Sequence, residues 1–245
     1  MPADVVTGAH AVEALARLQP GRVKEIYLWA ADPRLEARVS AIAAEHDLRL
    51  LREPPLGVTG DPLNPQGIAA RVTPFEYHDL DDLVPVTGAL PGTLVVVLDS
   101  ITDPRNLGAI VRSAAFFHAT AVVVPQDRAA EVTSLVERVA EGGTAAVPIV
   151  RVVNLARTLK ALRDRGVEVV GTALDGATGD IRDHAWSQAT ALVLGAEGQG
   201  IRPLVKKSCD VLVTLQGTDA MPSLNVSAFA ALALLLARSA GRGPS

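Results

Sequence analysis

The sequence predicts an α/β protein in two parts, a small N-terminal α/β module and a larger C-terminal domain whose parallel sheet carries helices on both faces. Three observations predict this. A chain of 245 residues is long enough for two compact units. After Gly92 the pattern changes to Val/Leu-rich runs separated by segments long enough for crossover helices, as strands buried on both faces require. The composition, 49% hydrophobic and 20% charged, excludes a disordered or fibrous chain.

The N-terminal part opens with Gly8-Ala9-His10-Ala11-Val12-Glu13, where Val12, Leu15 and Leu18 recur at helical spacing until Pro20-Gly21 stops the helix. A short strand is expected at 23–29. Pro33 suits a helix start, and Leu35, Val39, Ile42 and Ala43 make an apolar stripe up to His46. Pro54-Pro55 and Asn64-Pro65-Gln66-Gly67 bracket a loop before a strand at 68–72. These residues read as a module over 1–78, followed by a polar, turn-rich linker over 79–92, part of which could begin a helix.

In the C-terminal part, 93–245, strands are expected at 93–99, 119–125, 145–152, 167–174, 191–195 and 211–215. Crossover helices fit 106–117, 129–140 and 154–165, and a final helix 223–240. Ligands of such sheets bind beyond the carboxyl ends of the strands. Three loops there carry the candidate chemistry. The first runs from Asp99 through Asp103-Pro-Arg-Asn-Leu-Gly-Ala-Ile-Val-Arg112. Taken alone, Asn106 reads as a helix cap and Arg112 as a charge snorkelling from an apolar helix. The second, Leu194-Gly-Ala-Glu-Gly-Gln-Gly200, has glycines at the wrong spacing for a dinucleotide fingerprint, so a plain turn and a ligand loop both fit it. The third, Ser223-Leu-Asn-Val-Ser227, enters a helix whose Phe229-Ala-Ala-Leu-Ala-Leu-Leu-Leu-Ala run is apolar around most of its surface. Such a helix is central to its domain or buried against a partner chain.

Charge and cysteine usage limit the function classes. The net charge is −4, with 8 Lys+Arg against 13 Asp+Glu in residues 1–90 and 15 against 14 in residues 91–245. Coating nucleic acid through bulk positive charge is thereby excluded. The 19 Arg against 4 Lys instead favour recognition by a few placed guanidiniums. Cys209 is the single cysteine, no zinc-type spacing involves the five histidines, and neither a signal segment nor a membrane span is seen. A cytoplasmic protein with no metal and no membrane partner is expected.

The three loops, in order and separation, resemble the motifs of the SpoU/TrmH family of RNA 2′-O-ribose methyltransferases, in the SPOUT superfamily. Gly8-x-His10-Ala-Val and Gln66-Gly67-Ile68-Ala69 also resemble the substrate-binding module of the subgroup that methylates guanosine in bacterial 23S ribosomal RNA. The resemblance implies a SPOUT domain with a deep trefoil knot, S-adenosyl-methionine held by loop backbone, and a homodimer whose interface completes the site. It ties Asn106, Arg112, Glu197, Ser223 and Asn225 to catalysis or site architecture, and Gly195, Leu215 and Leu224 to the cofactor. One departure stands out: Gln216-Gly217 follows Leu215 where the family commonly has Pro-Met. Ribosomal RNA is expected ahead of transfer RNA. The competing readings are an RNA-binding or assembly protein of the same fold with weak catalysis, and a nucleotide-dependent oxidoreductase.

Overall fold

A computed structural model describes residues 4–29, 31–55, 66–173 and 175–240. The expected turn residues Asn64 and Pro65, the strand end Leu174 and the N-terminal Met1-Pro2-Ala3 lie outside them. The chain divides into one unit of Met1–Glu76 with Glu131–Ala146, and another of Tyr77–Ala130 with Val147–Ser245. The first unit thus includes sixteen residues from within the segment expected to be the C-terminal domain.

In the first unit, β1 (Asp4–Thr7) leads into α1 (Ala9–Leu18), β2 (Val23–Leu28), α2 (Pro33–Glu45), β3 (Leu50–Leu51) and β4 (Ile68–Val72). The sheet order is β1-β4-β2-β3, with β4 antiparallel to both β1 and β2 and β3 parallel to β2. Ile68, Ala70 and Val72 of β4 enter the core with Ile26 and Leu28, against Val12 and Leu15 of α1 and Leu35, Val39 and Ile42 of α2. This is the strand period of two meeting the helix period. The α2 helix starts at Pro33 because the Asp32 carboxylate accepts the Arg34 and Leu35 N–H groups. Leu18, expected in the buried stripe, is exposed where α1 ends.

Two short helices, Ser134–Val139 and Gly143–Ala146, complete this unit. The Arg22 guanidinium donates to Glu137 Oε1 at 2.9 Å, to the Thr73 carbonyl at 3.2 Å and to Gln19 Oε1 at 3.0 Å, and it lies over the Phe75 ring. Gly142 has φ +94°, and a Cβ there would lie 2.5 Å from the Ala14 Cβ, so only glycine admits this approach to α1. The single helix expected over 129–140 and the strand from 145 are therefore corrected. The helix forms only over 134–139, with Thr133 at its N-cap and 130–133 outside it; a second turn forms over 143–146 where strand was expected, and Pro148 precedes the strand.

The second unit begins with α3 (Leu80–Leu83), followed by β5 (Leu94–Asp99), α4 (Pro104–Phe116) and β6 (Ala121–Pro125). After the two helices just described (α5 and α6) come β7 (Ile149–Val152), α7 (Leu155–Asp164), β8 (Glu168–Thr172) and β9 (Gly179–Asp180). The chain ends with β10 (Thr190–Gly195), α8 (Pro203–Lys207), β11 (Val211–Thr214) and α9 (Val226–Ala240). The seven strands form a parallel sheet in the order β7-β6-β5-β10-β8-β11-β9. All six residues of β5 are buried, as a central strand covered on both faces requires. The segment 79–92 does begin with a helix: Asp79 caps α3, and Leu80 and Val84, one helical turn apart, are buried in the core of this unit. Helix α9 packs on α4 and β10, and Arg238 near its end donates to the carbonyls of Gly92, Phe117 and His118.

Candidate active site

The site lies at the carboxyl ends of β5, β10 and β11, where the three loops leave the sheet. Asp103, not Asn106, caps α4, its side chain accepting the Arg105 N–H at 2.8 Å. That frees the Asn106 carboxamide in the first turn to face the neighbouring loop. Asn106 Nδ2 donates to Glu197 Oε1 at 3.2 Å, and Asn225 Nδ2 donates to the same oxygen at 2.8 Å and to Asn106 Oδ1 at 3.0 Å. The Val226 N–H, at the start of α9, donates to Glu197 Oε1 at 3.2 Å. One carboxylate oxygen thus collects three donors from two loops, with the positive end of α9 among them.

Asn225 works at both ends of its carboxamide. Its Oδ1 accepts the Ser227 N–H at 2.9 Å, the Ser227 hydroxyl at 2.6 Å and the Ala228 N–H at 3.4 Å. This cap starts α9 at Val226, so the expected helix start at 223 is corrected: Ser223 and Leu224 precede the helix in an exposed loop. Among the expected site residues the structure brings Asn106, Glu197 and Asn225 together. Arg112 stands exposed six residues further along α4, about 240° around the helix from Asn106.

The expected cofactor residues sit on loops that fold back tightly on themselves. Gly195 ends β10, and a Cβ there would lie 2.2 Å from the Gly200 carbonyl carbon. The Gly200 N–H returns to the Ala196 carbonyl at 2.8 Å, and Gly198 and Gly200 both have positive φ. Leu215 follows β11 by one residue and is half-buried. Gly217 then lets the chain turn: a Cβ there would lie 2.2 Å from the Met221 carbonyl, and Thr218 and Met221 exchange main-chain hydrogen bonds at 3.0 and 3.1 Å. At Gly195, Gly198, Gly200 and Gly217 these loops leave main chain uncovered by side chains, which suits a ligand bound in part by backbone groups. Among the described residues no group of His, Cys, Asp or Glu could hold a metal ion.

Two residues absent from the expected set also belong to this region. Asp99, the last residue of β5, is fully buried and pairs with Arg202, 2.6 Å from Nε to Oδ1. The signal was present as an acid ending an otherwise apolar strand. In the first unit, the Gly8-x-His10 and Gln66-Gly67 motifs meet, since Gln66 Oε1 accepts the Ala9 N–H at 2.7 Å at the start of α1.

Comparison with known proteins agrees with this geometry. The SpoU rRNA Methylase family matches residues 93–235, the span that carries all three loops. The chain belongs to the SpoU rRNA methylase family. The resemblance extends beyond the SpoU domain. The protein is 39% identical over 93% of its length to the 23S rRNA (guanosine-2′-O-)-methyltransferase RlmB of Photobacterium profundum, covering 94% of that protein. It is 36% identical over 91% to the protein of the same name from Escherichia coli K12, covering 93% of it. The solved structure of the SpoU methyltransferase AviRb from Streptomyces viridochromogenes has the same fold, with a TM-score of 0.79, 23% identity, and coverage of 97% of this chain and 89% of that one.

Proposed function

We propose that this SpoU-family protein transfers a methyl group from S-adenosyl-methionine to the 2′-hydroxyl of a guanosine in bacterial 23S ribosomal RNA. The single observation that carries the reading is the Asn106–Glu197–Asn225 network, which joins motif residues 119 positions apart in a family of rRNA methylases. The identity to RlmB proteins across both units selects the 23S guanosine over other RNAs. When bound, S-adenosyl-methionine supplies the sulfonium methyl. The backbone-lined turns at Gly195 and Leu215–Gly217, with Leu224, would hold it.

The chain's own task is to orient the ribose and favour the developing 2′-alkoxide. Glu197, with three donors on one oxygen, fixes the two asparagines rather than serving as a base. Arg112 carries a planar guanidinium fork suited to oxyanions, so it binds phosphate and stabilises the alkoxide. Ser223, exposed two residues before Asn225, faces solvent in the loop where substrate would enter.

A homodimer is part of the same reading. Arg112 and Phe116 share a face of α4, and Phe116 is 76% exposed. Leu232 and Leu235 form an exposed stripe on α9, the helix packed against α4. A partner copy covering that face would place Arg112 at the partner's site and bury the apolar stripe. Family membership supports a deep knot, and bacterial relatives named for modifying ribosomal RNA support a cytoplasmic location.

The discriminating experiment offers labelled S-adenosyl-methionine with protein-free 23S rRNA and with bulk tRNA. Transfer to a single position of 23S rRNA is expected; transfer confined to tRNA would overturn the choice of RNA.

A further inference from the structure

We propose that Asp99 and Arg202 are a positioning pair that sets Glu197 against Asn106 and Asn225, an inference that rests on the methyl-transfer reading above. Asp99 is 0% exposed, and Arg202 engages both of its oxygens. Oδ2 accepts the Arg202 main-chain N–H at 2.7 Å, and Oδ1 accepts Arg202 Nε at 2.6 Å. The Ser100 hydroxyl adds a contact to Oδ1 at 3.2 Å, and Ser100 itself, at φ +64°, turns the chain from β5 toward the helix that carries Asn106.

Burying a carboxylate is costly unless it is paired and hydrogen-bonded, and β5 is apolar up to this residue, so the strand itself does not require an acid here. What the acid gains is a hold on the far end of the second loop. Glu197 sits at the exposed tip of that loop, between Gly195 and Arg202, on residues that belong to neither helix nor strand. The near end is fixed where Gly195 meets Gly200, within 2.2 Å of any added Cβ. The far end is fixed by Arg202 on Asp99. Glycines of positive φ at 198 and 200 leave the tip itself little stiffness of its own. The same carboxylate therefore ties the strand that delivers Asn106 to the loop that delivers Glu197. Asp99 has no exposed surface with which to touch a ribose or cofactor, so its part is positioning.

Arg202→Lys keeps the charge and the main-chain hydrogen bond but loses the Nε contact. Measured by single-turnover methyl transfer to 23S rRNA, it should lower the rate about tenfold to a hundredfold, as small misplacements do. RNA affinity should be nearly unchanged, and because the lysine leaves the buried carboxylate one hydrogen bond short, the rates are compared at a temperature where melting curves show both proteins folded. The Glu197→Gln/Arg202→Lys double variant should be no slower than Glu197→Gln alone, because Arg202 acts through the loop that holds Glu197. A wild-type rate in Arg202→Lys, or losses that multiply in the double variant, would overturn the pair. Hydrogen exchange of the unmodified protein is a second measurement that requires no variant: the Arg202 amide should exchange much more slowly than the amides of 198 and 199. Equal exchange would also overturn the proposal. If the wild-type protein methylates no RNA, the reaction assignment fails while the exchange measurement still decides the pair.

Discussion

Asn106 sits in the first turn of α4 and Glu197 and Asn225 on two loops, and the hydrogen bonds among them are mutually dependent. Asn106→Ala removes one donor to Glu197 and one acceptor from Asn225, and should lower the single-turnover rate by about 100-fold, the scale of losing one placed donor. A kinetic assay with a matched melting curve separates this from unfolding. Cys209 is the opposite kind of residue. Burial first, and then the nearby Asp210 charge, push its thiol up to about 12. Because the thiolate is the reactive form, alkylation of the folded protein at pH 8 should be far slower than of the unfolded chain. Equal rates in the two states would contradict the burial. At this scale the three loops were legible as polar clusters that each follow an apolar strand, but Asn106, Glu197 and Asn225 were singled out within them only by the resemblance to the SpoU/TrmH motifs. That Asp103 takes the cap and releases Asn106 was not legible, since both residues suit a helix start.

Among the elements, the sheet strands were the most legible, because runs such as 94–99 are apolar without interruption. Short elements escaped: β9 has two residues and α8 five, too few for a period to show. The α5–α6 segment escaped for a different reason, since its membership in the first unit depends on long-range contacts such as Arg22 to Glu137. Burial raises the Glu137 carboxyl above its ordinary 4.5, with Arg22 opposing. A raised acid is protonated more readily in the folded state, so its contribution is fullest below 4.5 and declines as pH rises through the folded value. Wild-type stability relative to Glu137→Gln should therefore fall on going from pH 4 to 7 in parallel denaturant titrations. A constant difference would contradict the assignment. Removing Arg22 while leaving Glu137 buried should cost about 3 kcal/mol, as expected for breaking a buried pair.

At the scale of the whole molecule, the parallel-sheet class was readable from pattern. The chain path that returns residues 131–146 to the first unit was not, nor was any knot, because neither leaves a periodic signal. The exposed stripe on α9 gives a direct test of assembly. Leu235→Glu should convert a dimer to a monomer in light scattering and abolish methyl transfer, while leaving the fold intact by circular dichroism. A monomeric but fully active wild-type protein would refute the shared site. Net charge of −4 further predicts weak, salt-sensitive binding to unrelated RNA, so selectivity depends on the shape of the RNA site and a few arginines. The most direct test of the central claim is to digest 23S rRNA treated with the protein and S-adenosyl-methionine to nucleosides and identify the product by mass spectrometry. The account predicts 2′-O-methylguanosine, lost in Asn225→Ala; a methyl group on the base instead of the ribose would contradict it.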